Sequence, residues 1–557
     1  MPYTADFETT TAAADCRVWL WGLMEIGNYS NFKHGTTIES FMEELRALAK
    51  KRETVYFHNL KFDGEFLIWY LFHQGFRHVK RREGGENTFT SLISDKGMFY
   101  SLEITFKQFS KTAHKVKLLD SLKILPMSIE DIAHAFALPV LKGSIDYRKK
   151  RPVGYEPTEE EIAYVRNDVE IAARALRIMF DQGLDKMTIS GDAMLDYKNI
   201  IGRKAFERWF PTPEYDADVR QAYRGGFTYA NPAFTGRELG PGIVLDINSL
   251  YPDVMYHRPL PYGEPKFFTG RYEPDNLYKL YVQMFVCQFS LKPGMLPTVQ
   301  LKQNPMFIPT EYVTDSGGED VALCMTNVDL ELFLEHYDVY NVEWISGWKF
   351  KASNVLFTDF ILKWYNVKQQ ATLDGNKALR TLAKLMLNSS YGRFSINPKV
   401  RSKIPVLDEE TDTVRYPTGP EETRRPIYIP VGAFITAWAR DKTIRAAQSV
   451  CDRFLYADTD SLHLLGTELP PELDIDPVKL GAWKHESTFT RAKYLRAKTY
   501  VEEIDGKLCV TCAGLPEKLH KQVTFDNFEK RSIYTGKLKP THVRGGIILD
   551  ETDFTIR

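Results

Sequence analysis

Apolar and polar positions along this chain follow two repeats, and each switch between them marks a predicted element. Phe454-Leu455 and then Leu462, Leu464 and Leu465 bracket the polar stretch Tyr456-Ala457-Asp458-Thr459-Asp460-Ser461. Apolar run, short polar turn, apolar run predicts a β-hairpin. Residues two apart on a strand share a face, so Asp458 and Asp460 are expected to point together into one cleft. Val55-Tyr56-Phe57-His58 predicts a buried strand, followed by Asn59-Leu60-Lys61-Phe62-Asp63-Gly64 and a helical run ending at Gly75. Thr158-Glu159-Glu160-Glu161 is a capping box that opens a helix, and Tyr164 and Asp168, four apart, lie on one face of it. Gly242-Ile243-Val244-Leu245-Asp246 predicts a short strand ending in an acid, with a turn through Pro252. In the clearest helix Arg380, Lys384, Asn388 and Tyr391 fall on one face, with Leu379, Leu382 and Met386 opposite.

Length and charge narrow the class. With 557 residues the chain exceeds one ordinary core, so two to four domains or subdomains are expected. A composition of 43% hydrophobic and 26% charged residues is that of a soluble globular protein. The formal net charge of −1 requires that any nucleic-acid ligand meet segregated basic charge. Segregation is present: between 363 and 403 stand Lys or Arg at 363, 368, 377, 380, 384, 393, 399, 401 and 403 against the single acid Asp374. The six cysteines have no disulfide-framework spacing, and the Cys509–Cys512 pair lacks a second metal-binding pair, so zinc is not expected there. The longest apolar run, 66–72, is too short to span a bilayer, and no leader pattern opens the chain. A reducing cytoplasm and no membrane partner are expected.

The acids supply the candidate chemistry. Paired carboxylates are costly unless a cation or a proton relieves them. Mg²⁺ suits such a site, needing one or two carboxylates plus substrate phosphates. An isolated Asp-x-Asp is more often a solvated turn, but Asp246 supplies a third carboxylate of the right kind. A second set lies near the start: Asp6 and Glu8 share a strand face in Asp6-Phe7-Glu8-Thr9-Thr10, and Asp63 follows a strand end, where α/β sheets place active sites.

Taken in order, Asp6-x-Glu8, Asn59-x-x-x-Asp63 and Tyr164-x-x-x-Asp168 resemble the three motifs of the 3′→5′ proofreading exonuclease of family B DNA polymerases. The resemblance implies that Asp6, Glu8, Asp63 and Asp168 hold two metals and that Tyr164 orients the attacking water. It implies that Thr9, Asn59, Phe62, Ser121 and Leu122 hold an unpaired 3′ end. Lys142 matches the additional exonuclease lysine of protein-primed members. Tyr223-Arg224-Gly225-Gly226 is similar to the Y-x-G-G element that binds template and connects the two activities. Asp246-x-x-Ser249-Leu250-Tyr251-Pro252 resembles polymerase motif A, which gives Asp246 and the Ile247 carbonyl to the metals and sets Tyr251 against a 2′-hydroxyl. Lys384 to Gly392 resembles motif B: Arg380 and Lys384 would grip phosphates, Asn388 and Tyr391 pack around sugar and base, and Lys368 adds a phosphate contact. Ser390 is polar where such motifs carry an apolar residue. Thr436-Ala437-Trp438-Ala439-Arg440 is similar to the T-x-x-[GA]-R primer/template element, and the hairpin with Asp458 and Asp460 to motif C. Lys498-Thr499-Tyr500 matches K-x-Y, which steadies the primer end, and Glu486 would support the hairpin.

The implied fold is α/β: a ribonuclease-H-like exonuclease domain (1–187), then a right-hand polymerase domain (188–557). The latter divides into palm (188–259 and 423–512), fingers (358–397) and reduced thumb (513–557). Two further blocks, 260–357 and 398–422, resemble the terminal-protein-region insertions of protein-primed polymerases from small tailed phages with linear double-stranded DNA. In the second, Lys399, Arg401 and Lys403 would track phosphates, while the acidic tip Asp408-Glu409-Glu410 would repel a strand. The resemblance implies two Mg²⁺ per site, with Mn²⁺ substituting. It implies primer/template DNA, dNTPs, a terminal-protein primer and a single-strand-binding protein as partners of a monomer in a bacterial host's cytoplasm. A conventional nucleic-acid-primed family B polymerase is the alternative that only the insertions oppose. A metal-dependent nuclease leaves the second acid set unexplained, and a non-catalytic DNA-binding protein leaves both.

Overall fold

The computed structural model describes residues 1–80, 83–300 and 312–557. Its first sheet is built around strand Tyr3–Thr9, which buries Ala5 and Phe7 on one side and presents acids on the other. This strand runs antiparallel to Val18–Glu25 and parallel to Thr54–Phe57, which in turn is parallel to Ala113–Asp120. Phe99–Gln108 and Thr88–Ile93 extend the sheet on that side and Asn28–Gly35 on the other. Helix Ile38–Lys51 buries Phe41, Met42, Leu45 and Leu48 against it, capped at its start by the Thr37 hydroxyl. Helix Leu60–His73 is buried nearly all round because strands lie on one side and a C-terminal hairpin on the other. Glu159–Asp181 opens with the expected reciprocal bonds: the Thr158 hydroxyl accepts from the Glu161 N–H, and the Glu161 carboxylate from the Thr158 N–H.

The second sheet has strand Gly242–Ile247 at its centre, between Ser461–Leu465 and Trp483–Arg496, antiparallel to both. Phe454–Asp458 pairs with Ser461–Leu465 as the expected hairpin, and Thr228–Ala230 lies beyond it. Gly242 is required here: a Cβ would stand 2.3 Å from the Leu464 carbonyl oxygen. The long helix Ile429–Ser449 packs against this sheet with Phe434, Ile435 and Ile444 buried. Block 260–357 forms a four-stranded antiparallel sheet, Leu260–Thr269, Tyr337–Ser353, Leu280–Leu291 and Val321–Thr326, with helix Asn327–His336; 301–311 of this block lie outside the described residues. Helices Thr358–Leu373 and Lys377–Ser389 follow, packed on each other. No helix among the described residues is long and apolar enough to cross a membrane.

Block 398–422 is a hairpin arm with two short ladders, Lys399–Val400 with Glu422–Thr423 and Val406–Asp408 with Thr413–Arg415. Of the three acids expected at its tip, Glu409 and Glu410 are exposed and Asp408 is engaged locally. The Asp408 carboxylate caps its own turn through the Glu410 and Thr411 N–H groups and pairs with Arg415. Asp412, the next acid, pairs with His73 of helix Leu60–His73 at 2.8 Å and with Arg544 of the C-terminal region at 3.0 Å. Beneath it the buried Glu65 accepts from the Tyr416 hydroxyl at 2.5 Å and lies 3.2 Å from His542 Nε2. Through Asp412 and Tyr416 the arm docks on helix Leu60–His73 and the C-terminal region.

Candidate active sites

The first acid cluster joins three elements. Asp6 and Glu8 share the open face of strand Tyr3–Thr9, as the alternation of side chains requires. Asp63, in the first turn of helix Leu60–His73, accepts the Phe7 N–H at 3.1 Å and is 3% exposed. Asp168 projects from helix Glu159–Asp181 and pairs through Oδ2 with Lys142 Nζ at 2.7 Å. One turn earlier the Tyr164 hydroxyl shares a hydrogen bond with Tyr147 at 2.8 Å. Burial and then the charge of Asp168 push Asp6 up to about 8. Burial and the Asp6 charge hold Glu8 and Asp63 well above the usual carboxylate range. Burial raises Asp168 too, with Lys142 opposing.

A cavity of about 820 Å³ collects Asp6, Glu8, Thr9, Asn59, Phe62, Lys142, Tyr164 and Asp168. The motif spacing missed Tyr147 and Arg148 on its wall, and also Leu538, Ile548 and Leu549 of the hairpin Ile533–Val543/Gly546–Thr555. Only the chain's path brings a segment more than 500 residues downstream of Asp6 to this cleft. Ser121 and Leu122 do not line it. The Ser121 hydroxyl donates to the Phe57 carbonyl and meets His58 Nδ1, while the Asp120 carboxylate receives the N–H groups of Asn59 and Leu122. Asp120 and the buried Ser121 thus set the loop that carries Asn59.

The second cluster departs from the expected geometry at Asp460. Asp458 ends its strand, but Thr459 is left-handed (φ 64°) and Asp460 sits in the turn, its N–H donating to the Asp458 carbonyl at 2.7 Å. The turn, not strand alternation, directs Asp460. Asp460 shares a cavity with Asp246, while the Asp458 carboxylate lies outside that cavity's lining and is gripped by Lys498 Nζ at 2.8 and 2.9 Å. The Ile247 N–H donates to the Asp460 carbonyl at 2.7 Å, locking motif A to the hairpin turn. The Y-x-G-G loop lies against the same turn: the Thr459 N–H donates to the Phe227 carbonyl, and a Cβ on Gly226 would meet Thr459 Oγ1 at 2.6 Å. Burial, then Asp246 and Asp458, push Asp460 up to about 6. Among the described residues no side chain bonds its carboxylate.

This cavity, about 590 Å³, gathers Asp246, Ile247, Tyr251, Lys368, Arg380, Lys384, Asn388, Tyr391, Asp460 and Glu486. Arg380, Lys384 and Asn388 share a face of helix Lys377–Ser389, and Leu382 and Met386 are buried behind them. Tyr391 lies beyond that helix, in the 3₁₀ turn Tyr391–Ser395. Ser390 is buried, its hydroxyl donating to the Leu387 carbonyl at 3.1 Å, so the polar residue is satisfied locally. Lys484 also lines the cavity and is the lysine that spacing did not single out. Its signal was the position two residues before Glu486 on a strand whose partner is Asp246.

Two residues expected to contact DNA are buried. Thr436 and Arg440 are 1% and 4% exposed. The Thr436 hydroxyl donates to the Gly432 and Ala433 carbonyls of its own helix. The Arg440 guanidinium grips Asp329 at 2.7–3.0 Å and donates to the Arg224 and Gly225 carbonyls at 2.9 and 2.6 Å. Its hydrogen bonds hold the Y-x-G-G loop. Tyr223, Gly225 and Gly226 remain in a loop beside the hairpin turn, and the Tyr500 ring lies 4.9 Å from that of Tyr456. Cys509 and Cys512 are three apart on strand Lys507–Cys512 and so on opposite faces, Cys509 exposed and Cys512 buried.

Both clusters suit divalent cations by the chemistry of their donors. Buried carboxylates that converge in numbers their neighbouring lysines do not balance are relieved by a hard ion with oxygen ligands. Among the described residues no group of three or more His, Cys, Asp or Glu is spaced to hold an ion.

Comparison with known proteins agrees with this geometry. The family profile of DNA polymerase type B, organellar and viral, matches residues 44–156 and 144–476. The DNA polymerase of Bacillus phage B103 is 48% identical over 100% of this chain and 99% of its own length. That of Streptococcus phage Cp-1 is 34% identical over 100% of this chain and 98% of its own. The structure of phi29 DNA polymerase in an orthorhombic crystal form superposes with a TM-score of 0.95 at 47% identity, covering 100% of both chains. A phi29 polymerase complexed with primer-template DNA and incoming nucleotide substrates gives 0.94 at the same identity and coverage. This α/β chain, with an acid cluster at each of its two eight-stranded sheets, therefore belongs to the family of type B DNA polymerases of organelles and viruses.

Proposed function

We propose that this family B polymerase is a replicative enzyme that copies a DNA template from dNTPs, proofreads 3′→5′ at a separate site, starts on a terminal protein and displaces the non-template strand. The observation that carries the reading is the pair of carboxylate clusters on two different sheets, the second opposite a wall of Lys368, Arg380 and Lys384. A triphosphate brings about four negative charges, which such a wall accepts through charge-assisted hydrogen bonds. Asp246, Asp460 and the Ile247 carbonyl would hold Mg²⁺, with Mn²⁺ substituting and Asp458 close by; Asp6, Glu8, Asp63 and Asp168 would hold the exonuclease pair. Bound there, the ions would stabilise the charge building on the phosphate and help to generate the nucleophile. Tyr251 excludes the 2′-hydroxyl, Asn388 and Tyr391 frame sugar and base, and Tyr164 orients water while Lys142 holds Asp168. Thr9, Asn59 and Phe62 take the unpaired 3′ end; Tyr223, Gly225, Gly226, Lys498 and Tyr500 take primer and template.

The same reading assigns 1–187 to the ribonuclease-H-like exonuclease and 188–557 to the polymerase, with palm, fingers, thumb and the two insertions as divided above. It places the protein in the host cytoplasm as a monomer, with a single-strand-binding protein as a further partner. Relatives from the Bacillus and Streptococcus phages support the terminal-protein primer, and the insertions favour it over a nucleic-acid primer. The test has two arms. Replacing Asp6 and Glu8 by Ala should abolish 3′→5′ degradation and spare primer extension. Labelled dATP with candidate terminal protein should yield a protein–nucleotide adduct. Joint loss of both activities in a folded variant would sink the two-site layout, and extension without any adduct would favour nucleic-acid priming.

A further inference from the structure

Lys484 stands at the start of strand Trp483–Arg496, directly opposite Asp246 in the antiparallel register, with its Nζ 3.1 Å from Asp246 Oδ1. It lines the nucleotide cavity together with Lys368, Arg380 and Lys384. Burial first, and then the charges of Arg380, Lys384 and Lys484, hold the Lys368 ammonium below its ordinary range, so the four cations feel one another across one space. The Lys484–Asp246 pair is partly open to water, 34% and 22% exposed. A pair of that kind is weak and easily exchanged, and lysine carries its charge on a flexible four-carbon stem with three donors. Lys498 offers a contrast. It also holds a catalytic-type acid, Asp458, yet it does not line the cavity.

We propose that Lys484 is a displaceable counter-ion and a fourth phosphate-binding residue: it neutralises Asp246 in the empty cavity, yields that carboxylate to a divalent cation, and then binds the β- and γ-phosphate oxygens of the incoming nucleotide. The logic is electrostatic. An ammonium and a divalent ion compete for the same carboxylate oxygen, and the ion gains more because Asp460 stands ready beside it. The freed ammonium then faces a cavity that has just received a polyanion. The arrangement also makes metal and nucleotide binding mutually supportive, since each removes a cost of the other.

The inference rests on reading this cavity as the nucleotide site, and the experiment separates the two. Full-length protein, Lys484→Ala and Lys484→Arg are titrated with Mn²⁺ without DNA or nucleotide, following the ion's magnetic resonance signal. Primer extension is then run across dNTP concentrations. Lys484→Ala should bind Mn²⁺ several-fold more tightly and show KM for dNTP raised about tenfold with a smaller change in kcat. Lys484→Arg should restore most of the KM. If the alanine variant fails to fold by circular dichroism, Lys484→Gln carries the same expectations. Unchanged Mn²⁺ affinity overturns the counter-ion role, and unchanged KM overturns the phosphate role; either result ends the proposal. Absence of nucleotide incorporation by the unmodified chain would instead sink the reading of the cavity, while the Mn²⁺ comparison would still stand.

Discussion

The rings of Tyr251 and Tyr391 stack with centroids 4.0 Å apart and planes inclined by 28°. One belongs to helix Leu250–His257 beside Asp246, the other to the turn after helix Lys377–Ser389, so two separate motifs share one wall of the nucleotide cavity. Tyr251→Val opens space for a 2′-hydroxyl, and deoxy-over-ribo preference should fall by on the order of 100-fold while dNTP extension suffers less. Tyr391→Ala, which unsupports the Tyr251 ring without touching it, should lower the preference by a smaller factor. Single-nucleotide incorporation kinetics with dNTP and rNTP check both, and unchanged discrimination in Tyr251→Val would remove Tyr251 as the gate.

The exonuclease acids predict how metal-free protein responds to pH. Asp6 titrates at about 8 in the fold, against an ordinary carboxylate value of about 3.9 in an unfolded chain. A raised folded value means the native state binds the proton more tightly. Its stabilising contribution is full below the unfolded value and is lost as pH rises through about 8. In a chelator, thermal stability should fall as pH rises from about 4 to about 8, and Asp6→Asn should flatten that slope. Divalent cation, taking the proton's place, should restore the loss in the unmodified protein. A steeper slope in Asp6→Asn would contradict the coupling.

Arg440 should behave as the support of a loop. Arg440→Ala leaves the Asp329 carboxylate without its guanidinium and frees the Arg224 and Gly225 carbonyls, at a cost of roughly 3 kcal/mol. Asp329→Ala, which no DNA contact would explain, should weaken primer/template binding to a similar degree. Gel-shift affinities with Tm values for both variants decide the matter. A DNA defect confined to Arg440→Ala would return Arg440 to direct contact.

The arm 398–422 docks on helix Leu60–His73 and on the C-terminal hairpin. Deleting the arm should spare extension on a short gapped template, stop synthesis at a downstream duplex, and shorten products under single-binding conditions. Asp412→Ala, which removes the pairs to His73 and Arg544, should shorten products more modestly. Extension through a duplex block with a DNA trap present measures both. Full-length products from the deletion variant would move strand separation elsewhere.

Much of the site was legible because its determinants are local. The capping box at Thr158 and Glu161, the strand face shared by Asp6 and Glu8, and the face shared by Arg380, Lys384 and Asn388 follow from bond geometry and spacing over a few residues. Motif order added the long-range grouping: Asp6, Glu8 and Asp168 line one cavity, and Asp246, Asp460 and the basic wall line the other. Local periodicity failed where a turn replaced a strand, at Thr459-Asp460, because a left-handed residue breaks the alternation on which the expectation rested.

What tertiary structure alone decided is which polar groups face solvent and which are spent on the fold. Arg440 reads as a phosphate ligand until Asp329, more than a hundred residues away, buries it in an ion pair. Asp412 of the arm reads as one more surface acid until His73 and Arg544 meet it. Lys484 reads as an ordinary strand lysine until the register sets it opposite Asp246. Charge and hydrogen-bonding capacity are written in the sequence, but a charge acts through its neighbours. Those neighbours come from strands and helices distant in sequence, so partner and exposure are properties of the packed chain.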